Sequence, residues 1–580
     1  MGRKRRQQLT PWQQFAIKEL CAVAKAQPDE LTYLGRAQDV NHGLVGIDIR
    51  LRTADLKQEP GGLPLHDEED FLLLIDASPL LPPLVVVRHD RFVGYPHVLE
   101  GRRLCLYLDP AREWDPTRGF AAAIDRLYDW LGDAAAARFD ADTALYHAVG
   151  GILHQTDGTP TVVVRAPGRL VKAQVAFLTI RTSHRHDLVY RPTTREQHRT
   201  FVFEVATSLP LGAGTTWAEL LTRLDSSSTP SAGGLESTSF LTALAAAATH
   251  NPIDSPQPFI LAIPHPAGGP PHLLAGRIPA HSANILRERV RQRSTPVITI
   301  DPETLDANSP VEWCQVSDER SEVTTRRDAT RPISSFHGKT VHIWGCGGLG
   351  SWIAEFVARA GAKRLVLCDP GTVAGGLLVR QNYTENDIGD SKVESLRRRI
   401  LAIRDDIDVE AHSGLIVNDL LAALPMTDLI IDATISTAIG RSLDKLASVT
   451  PHPFLAQVAT DARTSTLGIL TVSAPTTTKG PNTIDQEAGV AVISDGELEP
   501  FHTFWENVSP GDEVIPTRGC SVPTFHGSAA DLAAVAAILT STIGAHLDND
   551  EPISGTHLMS LPSSPMGLHR RFIRASPHPT

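Results

Sequence analysis

The feature that most constrains the fold is the segment VHIWGCGGLGSWIAEFVARAG, at residues 341–361. It reads as an apolar strand, a glycine-rich turn and an amphipathic helix. Glycines in such a turn let the backbone approach a phosphate at the N-terminal end of the helix, where unpaired N–H groups point outward. The segment therefore predicts a nucleotide site, and its glycines are Gly345, Gly347, Gly348 and Gly350.

Short apolar runs alternate with helical segments from about residue 326 onward. This alternation is typical of a parallel sheet that is covered on both faces. Asp369 ends the next apolar run, where a carboxylate can accept hydrogen bonds from a ribose. The glycine spacing alone also fits a hydride-transferring dehydrogenase, and a tight turn without a ligand is a further alternative.

The segment VRQNYTENDIGDSK, residues 379–392, narrows these alternatives. Arg380, Gln381 and Lys392 follow the ribose carboxylate by 11, 12 and 23 residues. In this order, residues 340–435 resemble the ThiF/MoeB and ubiquitin-activating adenylation family. That family's pattern runs GxGGLGS, a strand ending in Asp, RQ and then DIGxxK.

The resemblance implies attack of a carboxylate on the α-phosphate of ATP. Arg380 and Lys392 would offset the negative charge that builds up in this step. Without the resemblance, both would be read as solvated surface charges at a helix start. The resemblance also implies that Gln381 and Asp432 bind the nucleotide, and that Asp432 contacts Mg²⁺.

Three positions depart from the family pattern. Gly371 and Leu377 stand where family members carry an acidic residue and an asparagine, and Ile435 stands where they carry a second aspartate. The missing carboxylates are the usual magnesium contacts. Either Asp432 and the ATP phosphates hold the ion, or the site has lost adenylation.

The cysteines form no CxxC pair and lie far apart in the chain. This spacing argues against a zinc site built on paired cysteines and against a disulfide scaffold. Any special cysteine is then a lone nucleophile, and burial as a small hydrophobe is the alternative for each. We expect packing roles for the two cysteines inside the nucleotide motif, Cys346 and Cys368.

The stretch YPHVLEGRRLCLYLDPAREWDP, residues 95–116, places Cys105 in a strand-like run. Cys105 follows His97 by eight residues, and a Trp-x-Pro at 114–116 precedes a helical segment. Ubiquitin-conjugating enzymes carry His-Pro-Asn, eight residues to a strand cysteine, and Trp-x-Pro before a helix. Residues 1–150 therefore resemble a ubiquitin-conjugating (UBC) domain of the bacterial type.

This second resemblance implies that Cys105 accepts an acyl group as a thioester and passes it to an amine. His97 replaces the asparagine that stabilises the oxyanion in that family, and a neutral imidazole N–H could donate the same hydrogen bond. Tyr95 replaces the family's histidine. A buried packing cysteine remains the alternative for Cys105.

A second thiol carrier is expected at Cys520, in the segment TRGCSVPTFHGSAADLAAVAAIL. Ser528 can cap the helix that follows, and Arg518 near a helix N-terminus would favour the thiolate. The segment is similar to the closing part of bacterial fused activating–conjugating proteins, where such a cysteine is the activating nucleophile. A loop thiol without function is the alternative. We expect a long polar loop over about 473–500.

The net charge of −12 over 580 residues argues against a nucleic-acid partner. The basic first residues lead into an amphipathic pattern and not into the apolar core of a signal peptide. We expect no segment that is apolar enough to cross a bilayer. The sequence therefore predicts a cytoplasmic chain without membrane contact.

The predicted fold class is an α/β multidomain chain. It comprises a UBC-like α+β domain at 1–150, an α/β linker domain at 151–325, and a Rossmann-like ThiF adenylation domain with a parallel-rich sheet at 326–580. The linker is assigned by position only. The whole order resembles the fused ubiquitin-activating and conjugating proteins of antiphage CBASS operons.

That resemblance implies activation of a protein C-terminal carboxylate with ATP, transfer to Cys520 and then Cys105, and conjugation to an amine-bearing target. The partner would be a ubiquitin-like protein or a cyclase-like enzyme with an accessible C-terminus. The family also implies a homodimer, and Arg327 or Arg331 is the candidate for an arginine inserted into the site. The alternatives are a degenerate nucleotide-binding scaffold that docks a partner and, last, a nicotinamide dehydrogenase.

Overall fold

The chain divides into two compact units, Met1–Thr325 and Arg326–Thr580. Within the described residues, the first unit holds two sheets and the second holds one. The computed structural model describes residues 9–35, 38–40, 43–139, 155–166, 168, 171–209, 211–226, 236–265, 268–291, 300–323, 327–414, 426–434, 436–449, 451–506, 527–562 and 570–575.

The N-terminal sheet of the first unit is antiparallel in all of its described strand pairs. Ile47, Ile49, Phe71 and Leu73 are buried on its central strands, two residues apart, as expected of one sheet face. In spatial order the strands are Leu31–Tyr33, Leu44–Arg52, Glu68–Ile75, Leu84–Val87, Arg103–Leu104 and Val98–Leu99, with Gln38–Val40 paired to Leu44–Arg52.

Helices Pro11–Ala26 and Ala121–Ala135 pack into the same core as this sheet. The first begins at Thr10, whose side chain accepts a hydrogen bond from the backbone of Gln13 in a capping box. A short helix, Pro110–Glu113, lies between the last strand and the second long helix. The antiparallel sheet with its helices confirms the α+β architecture predicted for this part.

The second sheet of the first unit has eight strands and mixes parallel with antiparallel pairs. Helices Trp217–Ser226, Glu236–Ala248 and Ala280–Arg291 contribute to one of the two cores that it borders. In spatial order the strands are Glu312–Cys314, His272–Ile278, Gln257–Ile263, Gln197–Glu204, Ala173–Thr182, Arg185–Val189, Thr161–Val164 and Val316–Asp318.

The sheet of the second unit is parallel over its first five strands and antiparallel over the rest. This arrangement confirms the predicted Rossmann-like domain with a parallel-rich sheet. In spatial order the strands are Asp408–His412, Arg364–Cys368, Thr340–Trp344, Leu429–Asp432, Phe454–Thr460, Leu467–Ser473, Gly555–Ser560 and Arg570–Arg574.

Three separate apolar cores border this sheet in the described part of the chain, as the buried strands predict. Helices Gly350–Arg359, Lys392–Ile403 and Ala529–Leu547 supply the larger core. Helix Thr437–Ala447 supplies a second core, where Ile439 and Leu443 pack on the strands, and helix Pro481–Ile493 contributes Val492 to a third. The sheet is therefore covered on both faces.

Two expectations need correction. The predicted polar loop over about 473–500 contains the helix Pro481–Ile493, whose Ile484, Ala488 and Val492 are buried at helical spacing. Helix Ala529–Leu547, with a mean hydropathy of 1.5, is long and apolar enough to cross a membrane by length and composition. Several of its side chains, including that of Leu539, instead lie in the larger core of the second unit.

Candidate active site

The parallel strands bring three predicted site segments to one edge of the sheet. Trp344 pairs with Cys368 on one side and with Asp432 on the other. Because the strands are parallel, the residues that follow these three positions leave the sheet next to one another. The glycine loop, the loop after Asp369 and the end of the strand at Asp432 therefore meet at this edge.

The four loop glycines fall into two pairs. A Cβ at Gly345 would lie 2.8 Å from the oxygen of Ala433, and one at Gly350 would lie 1.8 Å from the oxygen of Gly345. Gly345 also has a φ of +84°, which disfavours other residues. Gly347 and Gly348 are partly exposed. Gly345 and Gly350 thus make the tight turn possible. Gly347 and Gly348 face the open side where a phosphate would bind.

Asp369 and Lys392 lie side by side at this edge. The Asp369 carboxylate accepts hydrogen bonds from the backbone N–H groups of Cys346 at 2.7 Å and Gly371 at 2.6 Å. The backbone N–H of Lys392 donates to the oxygen of Gly371 at 3.0 Å. A Cβ at Gly371 would lie 2.8 Å from Asp369 Oδ1 and 3.3 Å from Lys392 Cδ. The absence of a side chain at Gly371 therefore makes room for the lysine stem.

Arg380 and Gln381 are buried beside the glycine loop, with exposed fractions of 5% and 7%. Trp352 Nε1 donates to the backbone oxygen of Arg380 at 3.2 Å. Gln381 Nε2 lies 3.9 Å from the position that a Cβ on Gly347 would take. Gln381 Oε1 is buried and has no hydrogen-bond partner among the described residues. Burial lowers the pKa of Arg380, yet a guanidinium stays charged in proteins.

These residues fit a nucleoside triphosphate. The open glycines and the N-terminus of the helix that follows suit phosphate oxygens. Arg380 and Lys392 bring two positive charges to the same edge. The side chain of Asp369 keeps free lone pairs for ribose hydroxyls because each of its oxygens accepts one described hydrogen bond.

Asp432 does not fit the predicted magnesium contact. Its side chain is fully buried, and Oδ1 accepts hydrogen bonds from the backbone and hydroxyl of Thr434 at 2.9 and 2.6 Å. Oδ2 accepts one from Gln457 Nε2 at 3.1 Å, and burial raises the pKa of the carboxyl. No group of three or more His, Cys, Asp or Glu side chains in the described part of the chain is placed to hold a metal. Asp432 therefore acts as a buried acceptor that shapes the strand end.

Cys105 lies one residue past the strand Arg103–Leu104, and not within a strand as the sequence suggested. Its backbone N–H donates to the backbone oxygen of His97 at 2.8 Å, which fixes the two backbones next to each other. Its Sγ donates to the oxygen of Tyr107 at 3.5 Å. The residue is half-buried, so a reagent can reach it while part of its surroundings is apolar.

The charges around Cys105 act in opposite directions. Burial raises the pKa of the thiol, and Arg103 and Arg126 lower it while Glu113 raises it. The net shift is upward. The thiol is therefore mostly protonated at neutral pH, and its reaction depends on the small thiolate fraction.

His97 is buried and has a left-handed backbone with a φ of 60°. Its ring centroid lies 4.7 Å from that of Phe139, and Nδ1 is buried without a hydrogen-bond partner among the described residues. Burial lowers the pKa of the imidazole, so the ring is neutral at neutral pH. The oxyanion role of His97 stays a prediction.

Other predicted residues divide into those that the structure describes and those that it does not. Cys346 and Cys368 are fully buried and burial raises the pKa of both thiols, which confirms their packing roles. Ser528 caps the helix Ala529–Leu547, as predicted. Arg327 and Arg331 are exposed. Ile435, Arg518 and Cys520 lie outside the described residues.

Sequence reasoning missed the polar residues that surround Arg380 and Gln381. Tyr383 Oη donates to the backbone oxygen of Cys346 in the glycine loop at 2.7 Å. Asn382 is 3% exposed and donates to Glu355 Oε2 at 2.7 Å. Their position directly after the Arg-Gln pair was the available signal, since polar residues within a site segment often support it.

Three family matches follow the order of the described domains. Residues 38–149 match the prokaryotic E2 family A, residues 151–319 match the Cap2 central linker domain, and residues 332–482 match the ThiF family. The chain belongs to the CBASS Cap2-type fused E1/E2 proteins. The Cap2-type chain thus carries an E1-like adenylating domain and an E2-like conjugating domain.

Two curated relatives are similar to short parts of this Cap2-type chain. Ubiquitin-like modifier-activating enzyme 5 of Caenorhabditis briggsae is 34% identical over 88 residues, which are 15% of this chain and 20% of the relative. The Drosophila mojavensis enzyme of that name is 28% identical over 132 residues, 23% and 29% of the two chains. The chain thus spans less than a third of the length of these relatives.

Solved structures of E. coli MccB are also similar. The crystal structure of MccB with ATP has a TM-score of 0.31 and 16% sequence identity, covering 42% of this chain and 67% of that chain. The selenomethionine structure of PaaA has a TM-score of 0.29 and 20% identity, covering 42% of this chain and 66% of that one.

Proposed function

We propose that the chain activates a protein C-terminal carboxylate with ATP, carries it as a thioester on Cys520 and then Cys105, and conjugates it to an amine. One observation carries this proposal. A single chain combines an open glycine loop, flanked by Arg380, Lys392 and Asp369, with a half-buried thiol next to a strand end of an E2-like sheet.

In the first step a carboxylate oxygen would attack the α-phosphorus of ATP, and pyrophosphate would leave. Arg380 and Lys392 would offset the charge that builds on the phosphates. Asp369 would hold the ribose through hydrogen bonds. The ThiF match and the similarity to modifier-activating enzymes support this assignment. Because Asp432 does not fit the predicted Mg²⁺ contact, we assign the ion no step.

In the later steps the Cys520 thiolate would displace AMP from the acyl adenylate. The thiolate of Cys105 would then attack the new thioester, and Cys520 would leave as its thiolate. An amine on the target would finally displace Cys105 and form an amide. The proton lost by the amine would leave to solvent or to a nearby base.

The partner we propose is a ubiquitin-like or cyclase-like protein with an accessible C-terminus, in line with the Cap2 linker match. We further propose that the target presents an amine, that neither nucleic acid nor membrane takes part, and that the protein works in the cytoplasm as a homodimer. Under this proposal, the arginine inserted into the adenylation site is Arg327 or Arg331.

The experiment that tests the first step is ATP–pyrophosphate exchange by the full chain, with and without the candidate partner. We expect exchange that the partner stimulates and that a partner lacking its last residue does not. Exchange that is absent with every partner that binds the chain would contradict adenylation.

A second candidate function is a nucleotide-binding scaffold that docks a partner without chemistry. The burial of Asp432 and its hydrogen bonds to Thr434 and Gln457 favour it, because they remove a carboxylate that the family uses for the metal. A scaffold binds ATP but shows no exchange, so the same assay separates the two functions.

A further inference from the structure

Glu355 is a buried carboxylate in the helix that follows the glycine loop. It is 6% exposed, and carboxylates are almost never fully buried unless they are paired. No step of the proposed reaction uses Glu355. Its position five residues after Gly350, at the back of the nucleotide edge, raises the question of what it holds in place.

The two oxygens of Glu355 contact three partners. Oε1 accepts a hydrogen bond from Arg359 Nε at 2.9 Å, within the same helix. Oε2 accepts from Asn382 Nδ2 and from Arg399 Nε, both at 2.7 Å. Burial raises the pKa of the carboxyl, yet the hydrogen bonds from Asn382, Arg399 and Arg359 outweigh it and lower the pKa overall. Glu355 is therefore ionised at neutral pH.

Asn382 and Arg399 belong to the two segments that carry Arg380 and Lys392. Asn382 follows Arg380 by two residues, and its backbone N–H also donates to Ser351 Oγ at 3.1 Å. Arg399 lies in the helix Lys392–Ile403, which begins with the other cation. One oxygen of Glu355 thus joins the segment of Arg380 and the helix of Lys392 to the helix of the glycine loop.

We infer that Glu355 is a positioning residue, which keeps Arg380 and Lys392 in register with the glycine loop through Asn382 and Arg399. The inference rests on the proposed function in that it assumes that the site binds ATP through these cations. Charged hydrogen bonds of this length are strong and directional, so a neutral side chain at this position would let both segments shift. A shift of about 1 Å in a positioning group is enough to weaken a phosphate site strongly.

The test is calorimetric titration of the full chain with ATP and, separately, with adenosine. We expect Glu355→Gln to weaken ATP binding about tenfold and to leave adenosine binding within about twofold, because under the proposed function the cations would contact the phosphates and not the nucleoside. Arg399→Gln, at a half-exposed position that should fold normally, is expected to weaken ATP binding selectively as well, through Lys392. A purely structural role would instead lower the thermal midpoint and weaken both ligands alike.

Arg359→Ala is the matched control because Arg359 contacts the same carboxylate from within its own helix, so this hydrogen bond joins no second segment. Arg359→Ala should leave the ratio of the ATP affinity to the adenosine affinity unchanged. Equal loss of ATP and adenosine binding in Glu355→Gln and Arg399→Gln, or no loss in either, would overturn the inference. Failure of the unchanged chain to bind ATP would instead overturn the proposed function, and the inference with it.

Discussion

Lys392 fits beside Asp369 because Gly371 has no side chain. A Cβ at Gly371 would lie 3.3 Å from both Cδ and Cε of the lysine and 2.8 Å from an oxygen of Asp369. In the sequence, Gly371 looked only like the loss of an acidic residue. The structure adds a steric reason for the glycine, since a larger residue would press the lysine away from the nucleotide edge. A departure from a family pattern can thus be a local adaptation.

Lys392→Ala should reduce the rate of ATP–pyrophosphate exchange by about 100- to 1000-fold, because removal of one preorganised charge donor typically has that effect. Arg398→Ala, in the same helix, is the control. Arg398 is half-exposed and pairs with Asp390, which is also half-exposed, and with the more buried Asp387, so its removal should change the rate far less than the loss of Lys392. Equal effects of the two substitutions would contradict the role of Lys392.

The thiol of Cys105 should titrate above the ordinary cysteine value of about 8.5, because burial raises its pKa. The rate of alkylation by iodoacetamide, followed at Cys105 by mass spectrometry across pH, measures this value. Arg103→Gln should raise the pKa further and Glu113→Gln should lower it. Shifts of the same sign in both variants would show that these charges do not act on the thiol.

Among the elements, the helix Ala529–Leu547 is capped at its start by the side chain of Ser528. Ser528 Oγ accepts a hydrogen bond from the backbone N–H of Asp531 at 3.1 Å. Ser528→Ala should lower the free energy of unfolding by about 1 kcal/mol, and Ser528→Asp should retain most of the stability. Urea unfolding followed by circular dichroism gives the difference. An equal loss in both variants would mean that capping is not the cause.

Helices and strands with a clear pattern of apolar residues could be predicted from the sequence. Those whose apolar residues make sense only through contacts with distant residues could not. The strand, glycine turn and helix at 341–361 follow from a short apolar run, the glycines and the helical spacing of the apolar residues after them. The helix Pro481–Ile493 was missed because glycine, proline and threonine residues before it resemble a loop. Its apolar residues become informative only once their packing on the sheet is known. Likewise, Cys105 was placed within a strand that ends one residue earlier.

The site could be predicted as a set of residues but not as a set of contacts. Asp369, Arg380 and Lys392 are recognisable from their order, and the parallel strands bring their segments to one edge. The bond from Asn382 to Glu355 joins residues 27 positions apart, and no local pattern reveals it. The burial of Asp432 was equally hidden, because its partner Gln457 comes from a neighbouring strand.

At the scale of the whole molecule, the chain is a relay only if its thiols are loaded in order. The ThiF, linker and E2 matches put the necessary domains on one chain. Under the proposed function, the edge of the sheet with the glycine loop would supply the activated acyl group, and the half-buried Cys105 would be the last carrier before the target. Loss of either thiol should therefore stop the relay at a defined stage.

The most direct measurement is mass spectrometry of acid-quenched full chain after incubation with ATP and a partner that supports exchange. The account predicts a thioester on Cys520 that accumulates in Cys105→Ala, and no thioester on Cys105 in Cys520→Ala. A thiol reducing agent should release the partner from Cys520 in Cys105→Ala. Consumption of the partner and ATP while neither thiol is ever found loaded would contradict the account.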